Sequence, residues 1–241
     1  MGPGPRRVSG PASRAAVPQI AVVAARNEAD RIGATIAALR EASPGIAVFV
    51  ADDASTDGTA KLALAAGATV ISRGRPHGKG ANMTAACEAA LDGAAGADLF
   101  LLCDGDLGSS AGRLLPLLEA VENNDCDLAI AVFTRRVGGG VGATKGFARW
   151  AIRNLGDYDA REPISGQRAM RASTLRSVMP FAGAYGMETG MTIDALRAGH
   201  RLTEIELELE HRATGQTAAG FLHRGRQLRD IAVAYAARRR G

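Results

Sequence analysis

Four times between residues 17 and 121 a short apolar run ends in polar residues and passes into a stretch with helical spacing. The segments are QIAVVAARNEADRIGATIAALRE, AVFVADDASTDGTAKLALAAG, ATVISRGRPHGKGANMTAACEAALD and ADLFLLCDGDLGSSAGRLLPLLEAV. Unbroken apolar runs of this length suit strands buried on both faces, and spacing such as Ile32, Ile36, Leu39 suits a helix packed by one side. Strand and helix in regular alternation predict an α/β fold with a mostly parallel central sheet flanked by helices. In such sheets the ligand crevice lies beyond the carboxyl ends of the strands. The residues that leave the four strands are Arg26-Asn27-Glu28, Asp52-Asp53, Arg73 to Lys79, and Asp104-Gly105-Asp106. All four clusters should share one edge.

After DLAIAVFTRR the alternation gives way to a Gly-rich loop, VGGGVGATKG, and a helix FARWAIRNLG. A lid over a site and a simple linker would both look like this loop. The helix YGMETGMTIDALRAG follows, and RLTEIELELEH then alternates as a strand, with Ile205, Leu207 and Leu209 on one face and glutamates on the other. By that parity His211 leaves the strand on the inward side.

The 241 residues carry a net charge of +4 with acids and bases nearly balanced, and no nucleic-acid partner is expected from that balance. Cys87, Cys103 and Cys126 lie in or beside apolar segments without CxxC spacing, which favours reduced core thiols and a cytoplasmic setting. No apolar run reaches the roughly eighteen residues of a membrane span. The start, residues 1–17, lacks the apolar centre of a signal peptide and reads as a disordered arm. The last stretch, 218–241, reads as a basic helix with Leu228, Ile231, Val233 and Tyr235 among arginines. It suits either an anionic membrane surface, at the inner face of the membrane, or a homodimer interface.

Three motifs carry chemistry. Asp52 and Asp53 end a strand where a carboxylate can accept from a nucleobase or a ribose hydroxyl, while Ser55, Thr56 and Asp57 read as caps of the next helix. GRPHGKG departs from the P-loop pattern, yet its backbone amides and Lys79 could approach an anion at a helix start. Asp104 and Asp106 offer hard oxygen ligands suited to Mg²⁺ or Mn²⁺. His211 is a candidate third ligand.

With these residues assembled, the chain resembles family 2-type glycosyltransferases of the GT-A fold. The resemblance runs from about Gln19 to Asp230 and rests on ARNEADRI, VADDASTDGT, GKGAN, CDGDLG, GGGVG, ISGQRAM and YGMETGMTIDAL in that order. Ala24 and Ala25 stand where the family often has proline. It implies one nucleotide-diphospho-sugar transferase domain over 18–230, with a nucleotide-sugar half (18–110) and an acceptor half (111–230). TRRVGGGVG followed by PISGQRAM resembles polyprenyl-phosphate (dolichyl-phosphate) mannose synthases, which would make Arg136, Ser165, Gly166 and Arg168 acceptor contacts. Those synthases usually carry glutamine where this chain has Gly108. The tail, AYGMETGMTIDALRAGHRLTEIELELEHR, resembles glucosyl-3-phosphoglycerate synthases, in which the matching histidine joins the DxD on the metal.

The resemblance further implies a metal-dependent transfer of a hexose from a nucleotide-diphosphate sugar, UDP-glucose first, to a phosphorylated acceptor. The acceptor would be a small molecule such as 3-phosphoglycerate, or a polyprenyl phosphate. Ala25, Arg26, Glu28, Asp53, Lys79 and Asp104 would surround the nucleotide sugar. Asp104, Asp106 and His211 would hold the metal, Lys79 would meet the phosphates, and Glu188 would act as base or position the acceptor. The alternative for Glu188 is a solvated residue on a helix surface. A non-catalytic nucleotide-binding module is the rival reading; a Rossmann dehydrogenase lacks its GxGxxG after the first strand.

Overall fold

The computed structural model describes residues 17–94, 96–134, 142–210 and 218–239. Its elements run β1 (Gln19–Ala25), α1 (Ile32–Ala42), β2 (Ala47–Asp52), α2 (Thr59–Ala65), β3 (Thr69–Ser72), α3 (Lys79–Gly93), β4 (Leu99–Asp104), α4 (Leu115–Glu122), β5 (Leu128–Phe133), α5 (Gly142–Gly156), β6 (Arg168–Arg171), α6 (Ala172–Val178), α7 (Met187–Arg197), β7 (Leu202–Leu207) and α8 (Ala218–Arg239). The strands form one seven-stranded sheet in the order β3-β2-β1-β4-β6-β5-β7. The strands β1 to β4 are parallel, and β7 runs parallel to β5. Only β6 is antiparallel, between β4 and β5. The α/β sheet flanked by helices is the fold the alternation implies.

Period-two side chains divide the apolar runs between the two faces. On one face Ala21, Val23, Val50, Leu101 and Cys103 pack with Ile32, Ile36 and Leu39 of α1 and Leu117, Leu118 and Val121 of α4. On the other, Ile20, Val22, Phe100 and Leu102 pack with Met83, Ala86 and Cys87 of α3 and Leu175, Met187 and Met191 of α6 and α7. All three cysteines are free and buried, and burial raises each thiol above its ordinary value. Among the described residues no helix is long and apolar enough to cross a membrane.

Three local expectations are corrected. The helix α5 starts at Gly142, inside the stretch read as a loop; the preceding 135–141, with the lid question, lies outside the described residues. The strand β7 stops at Leu207, although Leu209 remains in the core and Glu208 and Glu210 stay exposed. The apolar residues of α8 do not share one face. Ile231 is buried, whereas Leu228 and Val233 are exposed.

Candidate active site

The carboxyl ends of β3, β2, β1 and β4 do bring the four polar clusters together, because parallel neighbours in register end at the same edge. Asn27 donates its backbone N–H to Ser55 Oγ at 2.9 Å, Glu28 to Thr59 Oγ1 at 2.9 Å, and Ala29 to Asp57 Oδ2 at 3.1 Å. Ser55 and Thr56 therefore do not cap α2, whose N-cap is Gly58 with no side-chain hydrogen bond. They tether the loop after β1, and Thr56 N–H donates to Asn27 Oδ1 at 2.9 Å. Asp57 comes nearest to the expected capping role, accepting from Thr59 N–H at 3.1 Å.

The Gly-rich turn before α3 is organised by Asp53. Its Oδ1 accepts from the backbone N–H of His77 at 2.7 Å, from that of Gly78 at 3.3 Å, and from the Asn82 amide. These backbone amides, expected to face an anion, are thus turned to the protein's own carboxylate. Asp53 Oδ2 faces Arg26 Nη1 at 3.4 Å, with the Arg26 side chain 56% exposed. Ala25 is buried in the core, and its carbonyl accepts from Asp53 N–H at 3.0 Å, which fixes the end of β2 against β1.

The DGD turn is pinned from α1. Thr35, fully buried, donates its hydroxyl to the Gly105 carbonyl at 2.8 Å and accepts from Gly108 N–H at 2.9 Å. Arg31 Nη1 donates to the Asp106 carbonyl at 3.0 Å. Gly108 adopts φ +55°, a left-handed conformation that favours glycine.

At the end of β4 a chain of charges forms. Lys79 Nζ, on the first residue of α3, lies 2.6 Å from Asp104 Oδ1 and 2.8 Å from Glu188 Oε1. Gln167 Nε2 donates to Asp104 Oδ2 at 2.8 Å. Burial works to lower the Lys79 value, but the charges and hydrogen bonds of Asp104 and Glu188 together outweigh it and raise it. Glu188 sits in the first turn of α7 and is 5% exposed, so it is not a solvated surface residue. A carboxylate there is also favoured by the helix N-terminus.

The 165–168 segment supports this chain from below. A β-carbon on Gly166 would lie 2.7 Å from Lys79 Nζ and 2.8 Å from Asp104 Oδ2, so any larger residue would require the ends of this ion pair to shift. Gly166→Ala is expected to lower kcat at least tenfold, read in a steady-state assay of nucleotide release, because the new methyl group displaces the Lys79–Asp104 pair. Ser165 is buried and its hydroxyl meets Gln167 Oε1 at 3.3 Å. Arg168 is fully buried, donating Nε–H to the Ser165 carbonyl at 2.9 Å and Nη1–H to Thr192 Oγ1 at 2.9 Å. Desolvation pushes its guanidinium down to about 10, partly offset by Glu188 and Glu204. Arg168, expected as an acceptor contact, is enclosed in this structure and braces the segment against α7. Arg136 and His211 lie outside the described residues.

Gln167, Asn82, Thr35 and Arg31 were not among the residues expected at the site. Gln167 stood inside ISGQRAM and Asn82 inside GKGAN, so motif membership was their only signal. A cleft of about 390 Å³ opens at the carboxyl end of β5, lined by Phe133, Thr134, Lys145, Arg149, Arg161 and Glu162 among others.

Asp104 and Asp106 supply carboxylate oxygens of the kind Mg²⁺ or Mn²⁺ takes, at a turn whose backbone is tied to Arg31 and Thr35, and a bound ion would share Asp104 with Lys79 and Gln167. Among the described residues no group of three His, Cys, Asp or Glu converges.

Known proteins are similar to this chain, two of them in sequence and others in fold. An undecaprenyl-phosphate mannosyltransferase of Micrococcus luteus is 29% identical over 214 residues, covering 82% of this chain and 86% of that protein. A glucosyl-3-phosphoglycerate synthase of Mycolicibacterium paratuberculosis is 30% identical over 231 residues, covering 84% and 68%. The crystal structure of glucosyl-3-phosphoglycerate synthase from Mycobacterium tuberculosis with Mn²⁺, uridine-diphosphate and phosphoglyceric acid matches with a TM-score of 0.75 at 25% identity, over 92% of this chain and 78% of that one. A complex of the same enzyme with Mg²⁺ and uridine-diphosphate matches at a TM-score of 0.74 and 25% identity, over 92% and 79%. Residues 20–181 match the model for glycosyl transferase family 2, and the chain therefore belongs to that family as a glycosyltransferase of the GT-A fold.

Proposed function

We propose that this glycosyltransferase moves a hexose from a nucleotide-diphosphate sugar, UDP-glucose being the first candidate, to a phosphorylated acceptor such as 3-phosphoglycerate. The observation that carries the reading is Lys79 held between Asp104 and Glu188, one cation shared by a donor-side and an acceptor-side carboxylate. Both named relatives above have a phosphate in the acceptor their names give. Arg26 and Asp53 flank the nucleotide, with Glu28 on the same edge. Lys79 meets the diphosphate, where negative charge develops as the leaving group departs. Glu188, shielded from water at the start of α7, faces the acceptor oxygen as base or holds the acceptor in line. Asp104 and Asp106, with His211, would hold Mg²⁺ or Mn²⁺, which supplies further positive charge to the departing diphosphate.

A polyprenyl-phosphate acceptor is the second reading, favoured by the Micrococcus relative, most of whose length this chain covers. The test incubates the full chain with UDP-glucose and other nucleotide-diphosphate sugars, Mn²⁺ or Mg²⁺, and either 3-phosphoglycerate or a polyprenyl phosphate, and measures nucleotide release. Release is expected to stop on chelation, to return with added Mn²⁺ or Mg²⁺, and to fall by about 10³-fold in Asp106→Ala. Full metal-dependent turnover in that variant would remove Asp106 from the site.

A further inference from the structure

We infer that the joint face of α5 and α8 is a docking surface for an anionic lipid bilayer. Five large hydrophobic side chains are exposed among the described residues, and three of them, Trp150 (49%), Leu228 (38%) and Val233 (60%), lie on these two helices. Trp150 is not an isolated surface residue. Its ring stacks on Phe147 with centroids 5.5 Å apart and meets Tyr235 at 5.0 Å, which joins the two helices into one aromatic ridge. Asn154 Nδ2 donates to the Tyr235 hydroxyl at 3.0 Å, so the ridge has a polar handle as well as apolar bodies. Side chains of this mixed kind favour the boundary between headgroup and acyl chain.

Charge selects the occupant. The α5 sequence carries Lys145, Arg149 and Arg153 and no acidic residue, and α8 carries a single acid, Asp230, which is half-buried. Several of the basic residues are committed inside the protein. Lys145 pairs with Glu162, Arg149 donates to the carbonyls of Ala160 and Arg161, and Arg238 pairs with Asp194. Arg153, Arg226, Arg229 and Arg239 remain exposed beside the apolar side chains. Apolar anchors among unopposed arginines match a surface that offers acyl chains beneath anionic headgroups. A second copy of this chain would bring the same arginines face to face.

The opposite side of α8 is sealed against the site. Ile231 and Ala234 are buried, and a β-carbon on Gly186, just before α7, would lie 2.8 Å from the Ala234 β-carbon. The bilayer would therefore rest on the helix that packs beside Glu188. The inference rests for its purpose on the second acceptor reading above, in which the face brings a lipid-linked phosphate to the acceptor side.

Trp150 is the single tryptophan of the chain, so its emission reports directly on this face. The full chain is mixed with vesicles of equal parts phosphatidylglycerol and phosphatidylcholine, or of phosphatidylcholine alone. Co-sedimentation and a blue shift of Trp150 emission are expected with the anionic vesicles, both weakening as salt is raised. Arg229→Glu is expected to reduce vesicle binding about tenfold or more, and Val233→Ser to reduce the blue shift, with unchanged thermal melting in both. A blue shift that grows with protein concentration without lipid would assign the face to a second copy and overturn the inference, as would neither shift nor sedimentation. Turnover on 3-phosphoglycerate and on a polyprenyl phosphate is followed in parallel without vesicles. Its absence with both counts against the transfer reaction, and loss of vesicle binding alone against the docking face.

Discussion

Lys79→Ala is expected to lower kcat/KM by about 10³-fold, the larger part in kcat, as measured by nucleotide release under saturating donor. The reason lies in the arrangement rather than in lysine as a type. Lys79 Nζ touches Asp104 on one side and Glu188 on the other, so its loss removes positive charge from the departing diphosphate and leaves two carboxylates without their shared cation. Lys79→Arg keeps the charge but places a planar fork where a compact ammonium fits under Gly166, and recovers only part of the activity. The pH dependence follows from the raised lysine value. A group raised in the folded state contributes fully below its ordinary value, here 10.5, and is lost only as the pH climbs through the still higher folded value. The pH profile of the native chain between about 7 and 10 should therefore show no break from Lys79. A break there that vanished in Lys79→Ala would contradict the paired geometry.

Arg168→Ala carries the largest expected cost in stability, about 3 kcal/mol or more, read as a lower midpoint in urea unfolding. The guanidinium is completely enclosed, and truncation leaves a void together with the Ser165 carbonyl stripped of its donor. The loss reaches the site through two routes. Ser165 helps hold Gln167, which orients Asp104, and Thr192 returns a hydrogen bond to the Glu188 carbonyl at 3.0 Å. Arg168→Lys retains a charge but lacks the fork that reaches Ser165 and Thr192 together, so most of the stability should still be lost. An Arg168→Ala variant with native stability and a raised KM for the acceptor alone would instead support direct phosphate contact.

The four strand-helix units were legible because each strand is short, unbroken and apolar, and each polar cluster follows it at once. The order of chemistry along one sheet edge came with that pattern. The strand β6 was not legible: four residues, RAMR, with arginine at both ends, form a strand only because β4 and β5 present free edges to it. Gln167 and the burial of Arg168 were hidden for the same reason. Nothing in ISGQRAM distinguishes a side chain that points at a substrate from one that holds its neighbours.

The caps expected from Ser55 and Thr56 show the opposite kind of error. Their types suit a helix start, yet Ser55 Oγ accepts from the Asn27 backbone amide and Thr56 N–H donates to the Asn27 side chain, because a small polar residue pairs with whichever group the fold brings nearest. In the same way the amides of the Gly-rich turn are claimed by Asp53 from the neighbouring strand.

The amino-acid sequence alone determined that this chain builds a mostly parallel α/β sheet with carboxylates and one lysine at its carboxyl edge, because periodicity and strand ends are local properties. Only the tertiary structure decided that Lys79 lies between Asp104 and Glu188, that Arg168 is a brace, and that Trp150 and Tyr235 meet on one exposed face. Those facts depend on contacts between residues 24 to 109 positions apart, and no local pattern encodes which partner an ammonium, a guanidinium or an aromatic ring will meet.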